Sequence, residues 1–180
     1  MKQRVIEESP FSYFFTADTR SAWLWLVVRV YLGWEWLQAG WEKIHNPAWV
    51  GDGAGQALGG FVQNALTKTG GLHPDVQGWY ASFLTHYVLP HASVWSYLVA
   101  WGELLVGVAL IVGFLVGLSA FFGMFMNLNY MLAGTVSVNP IWFTIGIGLV
   151  LAWRVAGYLG ADRYVLPVLH RSIRPRVHAG

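Results

Sequence analysis

The sequence predicts an all-α, polytopic membrane four-helix bundle, with a long extracytoplasmic loop that carries short interfacial helices between spans 1 and 2. Three observations carry that prediction. Of the 180 residues, 56% are hydrophobic and only 11% charged, with 11 Trp and 21 Gly, which fits neither a disordered chain nor an ordinary soluble domain. Four apolar stretches have lengths suited to crossing hydrocarbon. A Gly-rich polar interval separates the first two, whereas the other connections are a few residues long. The chain reads as a single membrane domain over residues 1–180. It has no cysteine, which removes disulfides, thiolate metal sites, iron–sulfur clusters and cysteine redox relays together.

Residues 1–21 hold Lys2, Arg4, Glu7, Glu8 and Asp18 without a continuous apolar run, so they are not read as a cleavable signal peptide. After Pro10, the cluster Phe11-Ser12-Tyr13-Phe14-Phe15 suits either a segment lying at headgroup level or a cap on the bundle. Residues 22–44 form span 1, about 34 Å of helix at 1.5 Å per residue. Asn46-Pro47 then breaks the helix, and residues 45–92 form the outer loop. Within it, residues 57–67 and 76–89 are amphipathic, the second ending at Pro90; together they roof the bundle. Span 2 is 93–113, and the short turn after it makes span 3, 118–134, its antiparallel neighbour. Span 4 covers 140–159, with Pro140 placed where a helix starts well. The tail, 160–180, has little periodicity and is expected to lie on the membrane surface or to be loose.

Four spans put both termini on one side, and charge decides which. Arg154, Arg163, Arg171, Arg174 and Arg176 cluster near the end of the chain, while the long loop has only Lys68 after Lys43. Both termini are therefore expected in the cytoplasm, with the chain in the plasma (inner) membrane as a multi-pass protein. The formal charge of +2 is read as topology and not as nucleic-acid binding.

Function is sought where charge enters hydrocarbon, because such a residue persists only when it is partnered or faces a wet cavity. On the first span Arg29, Gly33, Trp36, Gly40 and Lys43 fall on one helical stripe, and Tyr31, Glu35, Gln38 and Glu42 on nearly the opposite one. A helix polar on both sides is expected to be surrounded by other helices or by a partner subunit. Gly33 and Gly40 admit a close backbone approach. By depth, Arg29 is expected to meet Glu103 in the middle of span 2, either as an ion pair locking two helices or as a cavity wall where Arg29 binds an anion or carbonyl and Glu103 handles protons. Gly123, Asn127, Tyr130 and Gly134 share a stripe on span 3; Asn127 is read as a ligand contact and Asn129 as packing. Trp142, Gly146, Leu149 and Trp153 line one face of span 4, a pattern commoner in cores than in cofactor sites.

The histidines make no metal signature: His86 and His91 are five apart across Pro90 and have no third ligand close in sequence. They are solvated surface residues or, for His86, a proton acceptor at the outer face. Nucleotide, haem-attachment and phosphate-loop motifs are absent, so neither a metal nor a nucleotide cofactor is expected.

Taken together, the run from Arg29-Val-Tyr-Leu-Gly33 to Gly40-Trp-Glu-Lys43-Ile, Ala100-Trp-Gly-Glu103-Leu-Leu-Val-Gly107, and Met126-Asn-Leu-Asn-Tyr-Met-Leu-Ala-Gly134-Thr with Asn139-Pro140 resemble the DoxX/DoxD family of small four-helix membrane proteins. The loop with Asn46-Pro-Ala-Trp49 is closer to the DoxD branch. The resemblance implies a membrane subunit of a thiosulfate:quinone oxidoreductase, which joins two thiosulfates into tetrathionate and reduces a quinone. It also implies a second, DoxA-like subunit, unless the chain forms a homo-oligomer. Carried onto this sequence, Arg29 and Glu103 match the family's intramembrane charges and are the expected catalytic pair. Lys43 matches the basic residue that ends the first helix. Lys43, Trp36, Gly40, Asn127, Tyr130, His86 and His91 are the expected contacts for quinone, which enters from the lipid, and for a small sulfur oxyanion. The competing readings are a noncatalytic anchor for a partner oxidoreductase, or a small-anion carrier.

Overall fold

The computed structural model describes residues 8–173, and among them every regular element is helical. The order is α1 Pro10–Thr16, α2 Ala22–Ile44, α3 Gln56–Leu66, α4 Gly78–Phe83, α5 Ala92–Val112, α6 Val116–Leu132, α7 Asn139–Leu151, α8 Trp153–Ala156 and α9 Asp162–Ile173. By length and composition one helical run, Gly78–Val112, passes as long and apolar enough to cross a membrane. Val116–Leu132 and Asn139–Leu151 are apolar but shorter, and α2 is 23 residues long with Arg29, Glu35, Glu42 and Lys43 along it.

Packing is organised by a glycine seam. α2 and α5 lie antiparallel, and Gly40 and Gly107 each face backbone: a Cβ on Gly40 would strike the main chain of Leu104, and one on Gly107 the main chain of Leu37. No side chain fits there, so the two helices approach to backbone contact and their register is fixed. The buried stripe of α2 is Leu32, Gly33, Trp36 and Gly40 together with Arg29, as its spacing predicts. Leu32 and Trp36 join Val106, Leu110, Ala120 and Leu149 in one core cluster, where the Trp36 and Trp142 rings lie 5.7 Å apart.

A second cluster forms at the loop end. α3 contributes Leu58, Val62 and Ala65, and the run 76–88 contributes Val76, Tyr80, Leu84 and Val88. These segments pack on one another as a roof at the loop end, where Leu132 and Ala133 join them. Pro90 was expected to end the second roof segment, but the chain stays helical through it. A π turn at Leu84–Val88 and a 3-10 turn at Leu89–His91 join α4 to α5. These looser and tighter turns absorb the missing proline N–H without stopping the helix.

Two helices differ from the expected outline. Residues 140–159, expected as one span, hold two helices: α7 ends at Leu151, the chain turns at Ala152 and the short α8 follows. The tail, expected to lie on the membrane surface or to be loose, contains the regular helix α9, whose start is tied into the bundle with Asp162 only 2% exposed. Of the tail arginines, Arg174 and Arg176 lie outside the described residues.

Candidate functional site

The end of the bundle away from the roof is a network of main-chain groups. α5 finishes at Gly113, whose φ of +74° suits a residue without Cβ. The last carbonyls of a helix lack internal partners. Here Arg29 Nη1 donates to those of Leu110 (2.6 Å) and Ile111 (2.7 Å), and the N–H groups of Ala161 and Asp162 donate to Val112 and Gly113. Arg29 Nη2 reaches the Leu159 carbonyl at 2.9 Å. Asp162 then accepts from the N–H groups of Leu115 (2.6 Å) and Val116 (2.9 Å), the first orphan donors of α6. A carboxylate there also opposes the positive end of the helix dipole.

Arg29 therefore does not meet Glu103, as its depth had predicted. The glycine seam sets Gly33 against Leu110 and Gly40 against Leu104, so Arg29 falls level with the end of α5 and places its Nη1 and Nη2 donors on carbonyls, while Nε is buried without a partner. Glu103 instead faces Lys43 from the other end of α2. Lys43 Nζ donates to Glu103 Oε2 at 2.6 Å, and the Tyr130 hydroxyl donates to Oε1 at 2.5 Å. The carboxylate is 1% exposed and the Lys43 side chain 19%, so the ammonium is its link to the surface. Lys43 also lies 5.2 Å from the centroid of the Trp49 ring, in a cation–π arrangement. Three helices thus join at one polar chain: Lys43 of α2, Glu103 of α5 and Tyr130 of α6.

Tyr130 stands at the wall of a cavity of about 740 Å³ between α5 and α6. Its sides are apolar, with Leu98, Leu105 and Ala109 from α5 and Leu118, Phe122 and Phe125 from α6. Leu98, Leu105 and Phe122 are half or more exposed, so the cavity opens sideways as a groove. The roof closes one end with Leu84 and Tyr80, whose hydroxyl lies 3.0 Å from the Asn129 carbonyl oxygen and 3.1 Å from its side-chain oxygen. Such a groove, apolar along its length and polar at one end, fits a molecule with a long hydrocarbon part and a small polar head.

The other expected site residues separate from this groove. Gly40 is a packing contact against Leu104. Trp36 and Asn127 are buried in the interior, each 1% exposed, and Trp36 Nε1 and Asn127 Oδ1 have no hydrogen-bond partner there. His86 is exposed with Nδ1 2.9 Å from the Ser82 carbonyl oxygen, and His91 is exposed at the end of its 3-10 turn. Neither belongs to the groove lining. Among the described residues, no three His, Asp or Glu side chains gather as a metal ion's ligands do. Sequence reasoning missed Tyr80, Asp162 and the pairing of Lys43 with Glu103. An intramembrane acid and a base at a helix end are visible signals, but their register is not.

Among known proteins, the DoxX family pattern matches residues 24–136, a stretch that contains Lys43, Glu103, Tyr130 and both walls of the groove. Neither a curated protein nor a solved structure matches the chain. The match covers well over half of the sequence, and on that ground the chain belongs to the DoxX family of membrane proteins.

Proposed function

We propose that the chain is a four-span protein of the plasma (inner) membrane that takes a quinone into the groove between α5 and α6, and serves as the quinone-handling subunit of an oxidoreductase. The observation that carries this reading is the meeting of an apolar, laterally open groove with the chain Lys43–Glu103–Tyr130 at its wall. An isoprenoid tail matches the apolar walls, and the quinone oxygen matches Tyr130. The four spans are α2, the helix ending at Val112, α6 and α7 with α8, the last three rich in exposed apolar side chains.

Reduction of a quinone to its quinol takes two electrons and two protons. Two thiosulfate ions joined through a new S–S bond as tetrathionate release two electrons, which makes thiosulfate the donor proposed here. The residues manage the protons. For one of the two protons, Tyr130 donates its hydroxyl proton to the reduced quinone oxygen and regains one relayed from the Lys43 ammonium through Glu103. Lys43 is reprotonated from the loop-end surface, and the other quinone oxygen takes its proton from water. Lys43 holds the carboxyl group in place and lowers the cost of its charge in a dry interior. Arg29 has no part in this chemistry; its role is to satisfy the ends of α5.

The test is purified protein in lipid nanodiscs with a long-chain quinone and thiosulfate. The reading expects quinol formation, or quinone binding by fluorescence quenching if a partner subunit must deliver electrons, with Tyr130→Phe and Glu103→Gln lowering the reduction rate tenfold or more. Folded protein that neither binds nor reduces quinone overturns it, and leaves the anchor reading.

A further inference from the structure

Beyond the groove, one surface of α2 is at odds with its surroundings. Val27, Tyr31, Gln38, Glu42 and His45 follow one another down a single helical stripe, with Glu35 at its edge. This stripe is directed away from the bundle: Val27 is 67% and Tyr31 49% exposed, Gln38, Glu42 and His45 are exposed, and Glu35 is partly so. Among the described residues, Glu35, Gln38 and Glu42 make no side-chain hydrogen bond or ion pair within the chain. Other polar groups on the bundle surface are satisfied internally, as where Thr144 donates to Pro140 and Asn129 Nδ2 to Phe125.

With α2 spanning the membrane, a premise shared with the proposed function, Gln38 lies about 9 Å and Glu35 about 13 Å from the loop end of the helix, within hydrocarbon. A carboxamide and a carboxyl group at that depth require partners. Lipid tails supply none.

We infer that α2 packs in parallel against α2 of a second copy of this chain, related by a two-fold axis along the membrane normal. The stripe is complementary to itself under that operation. An isologous contact brings residues of equal depth together, so Gln38 meets Gln38 of the copy, and a carboxamide is both donor and acceptor. Glu35 lies one turn away on the same side, within reach of the copy's Gln38. At the loop end, Glu42 and His45 are three residues apart on the same stripe, so the axis sets each copy's acid beside the other copy's imidazole. His45 already has Nδ1 2.9 Å from the Trp41 carbonyl oxygen, so Nε2 meets the copy's acid through a single proton shared between them. Trp34 and Trp41, 54% and 58% exposed, flank the stripe and give the contact its apolar area.

The absence of cysteine makes the test direct, because any introduced thiol is the only one in the chain. Gln38→Cys and Val27→Cys on the stripe, and Leu105→Cys on an exposed face of α5, are reconstituted in lipid at high lipid-to-protein ratio and oxidised. The inference expects disulfide-linked dimers at positions 27 and 38, and at least tenfold less at 105. Glu35→Leu with Gln38→Leu is expected to weaken dimerisation of the otherwise unaltered chain at least tenfold, read by single-molecule photobleaching in liposomes. Equal cross-linking at 105, or unaltered chain that photobleaches as a monomer, overturns the inference while leaving the quinone reading intact. Full labelling of Gln38→Cys by a water-soluble maleimide overturns it through the premise that α2 lies in hydrocarbon. Quinone binding in the groove is measured on the unaltered chain in the same lipid, so the two readings fail separately.

Discussion

Lys43, in the last turn of α2, sets its ammonium 2.6 Å from Glu103 in the middle of α5, and Tyr130 of α6 occupies the other carboxylate oxygen. A charge pair this deep is stable only as a set, since removing one member leaves the other buried without a counterpart. Lys43→Met is therefore expected to cost about 3 kcal/mol. Adding Glu103→Gln to it is expected to recover at least about 1 kcal/mol. Unfolding in mixed micelles, followed by intrinsic tryptophan fluorescence, measures both; a double variant less stable than Lys43→Met contradicts the pairing.

The glycine seam gives a sharper contrast. Gly40→Ala and Gly107→Ala push a methyl group into the backbone of the facing helix, and main chain cannot rotate away, so each is expected to destabilise by about 2–3 kcal/mol. Gly59, inside α3, has nothing within 4 Å of where a methyl group would sit. Gly59→Ala is expected to be neutral or to stabilise by up to about 1 kcal/mol. Denaturation midpoints of the three variants decide the matter.

Arg29 and Tyr130 are predicted to fail in different ways. Arg29→Lys loses the planar fork that serves three carbonyls at once and is expected to lower stability by about 2 kcal/mol. It should leave quinone affinity within about twofold. Tyr130→Phe is expected to weaken quinone binding about tenfold, the worth of one hydrogen bond, with a smaller effect on stability. Parallel binding and unfolding measurements separate a structural arginine from a ligand-facing tyrosine.

Asp162 ties the start of α9 to the start of α6. Asp162→Ala strips two N–H groups of their acceptor and is expected to cost about 2 kcal/mol. Asp162→Asn keeps one side-chain oxygen and should cost about half as much. Hydrogen exchange at Leu115 and Val116, accelerated in both variants and more in the alanine one, reports the effect locally.

Outside the spans, Asp18 accepts from the Arg20 guanidinium at 2.8 and 2.6 Å and from the Arg20 N–H at 2.9 Å. These bonds hold its carboxyl below the usual 3.8. Because the folded value is depressed, the pair's contribution is complete above the usual carboxylate range and is lost as pH falls through the folded value. Carboxyl-detected NMR should find the Asp18 midpoint below 3.8, and Arg20→Gln should move it upward.

Much of this protein is legible in one dimension. The 3.6-residue period identifies the buried stripe of α2, Arg29, Gly33, Trp36 and Gly40, because burial on a helix follows from angular position alone. The roof helices and the α5–α6 hairpin follow from amphipathic spacing and from a turn too short for any other arrangement. The exposed stripe of Gln38 and Glu42 is equally visible, although which partner covers it is not.

The chain's own residues determined that it is helical and apolar, with charges in α2 and an acid in α5, because composition and periodicity are local properties. Only the tertiary structure decided that Glu103 belongs to Lys43 and Tyr130 while Arg29 belongs to the carbonyls of Leu110, Ile111 and Leu159. Depth along each helix had pointed to Arg29 as the partner of Glu103. The register was settled where Gly40 and Gly107 let two backbones touch, and a slide of one helix turn, about 5.4 Å, would break every one of those contacts.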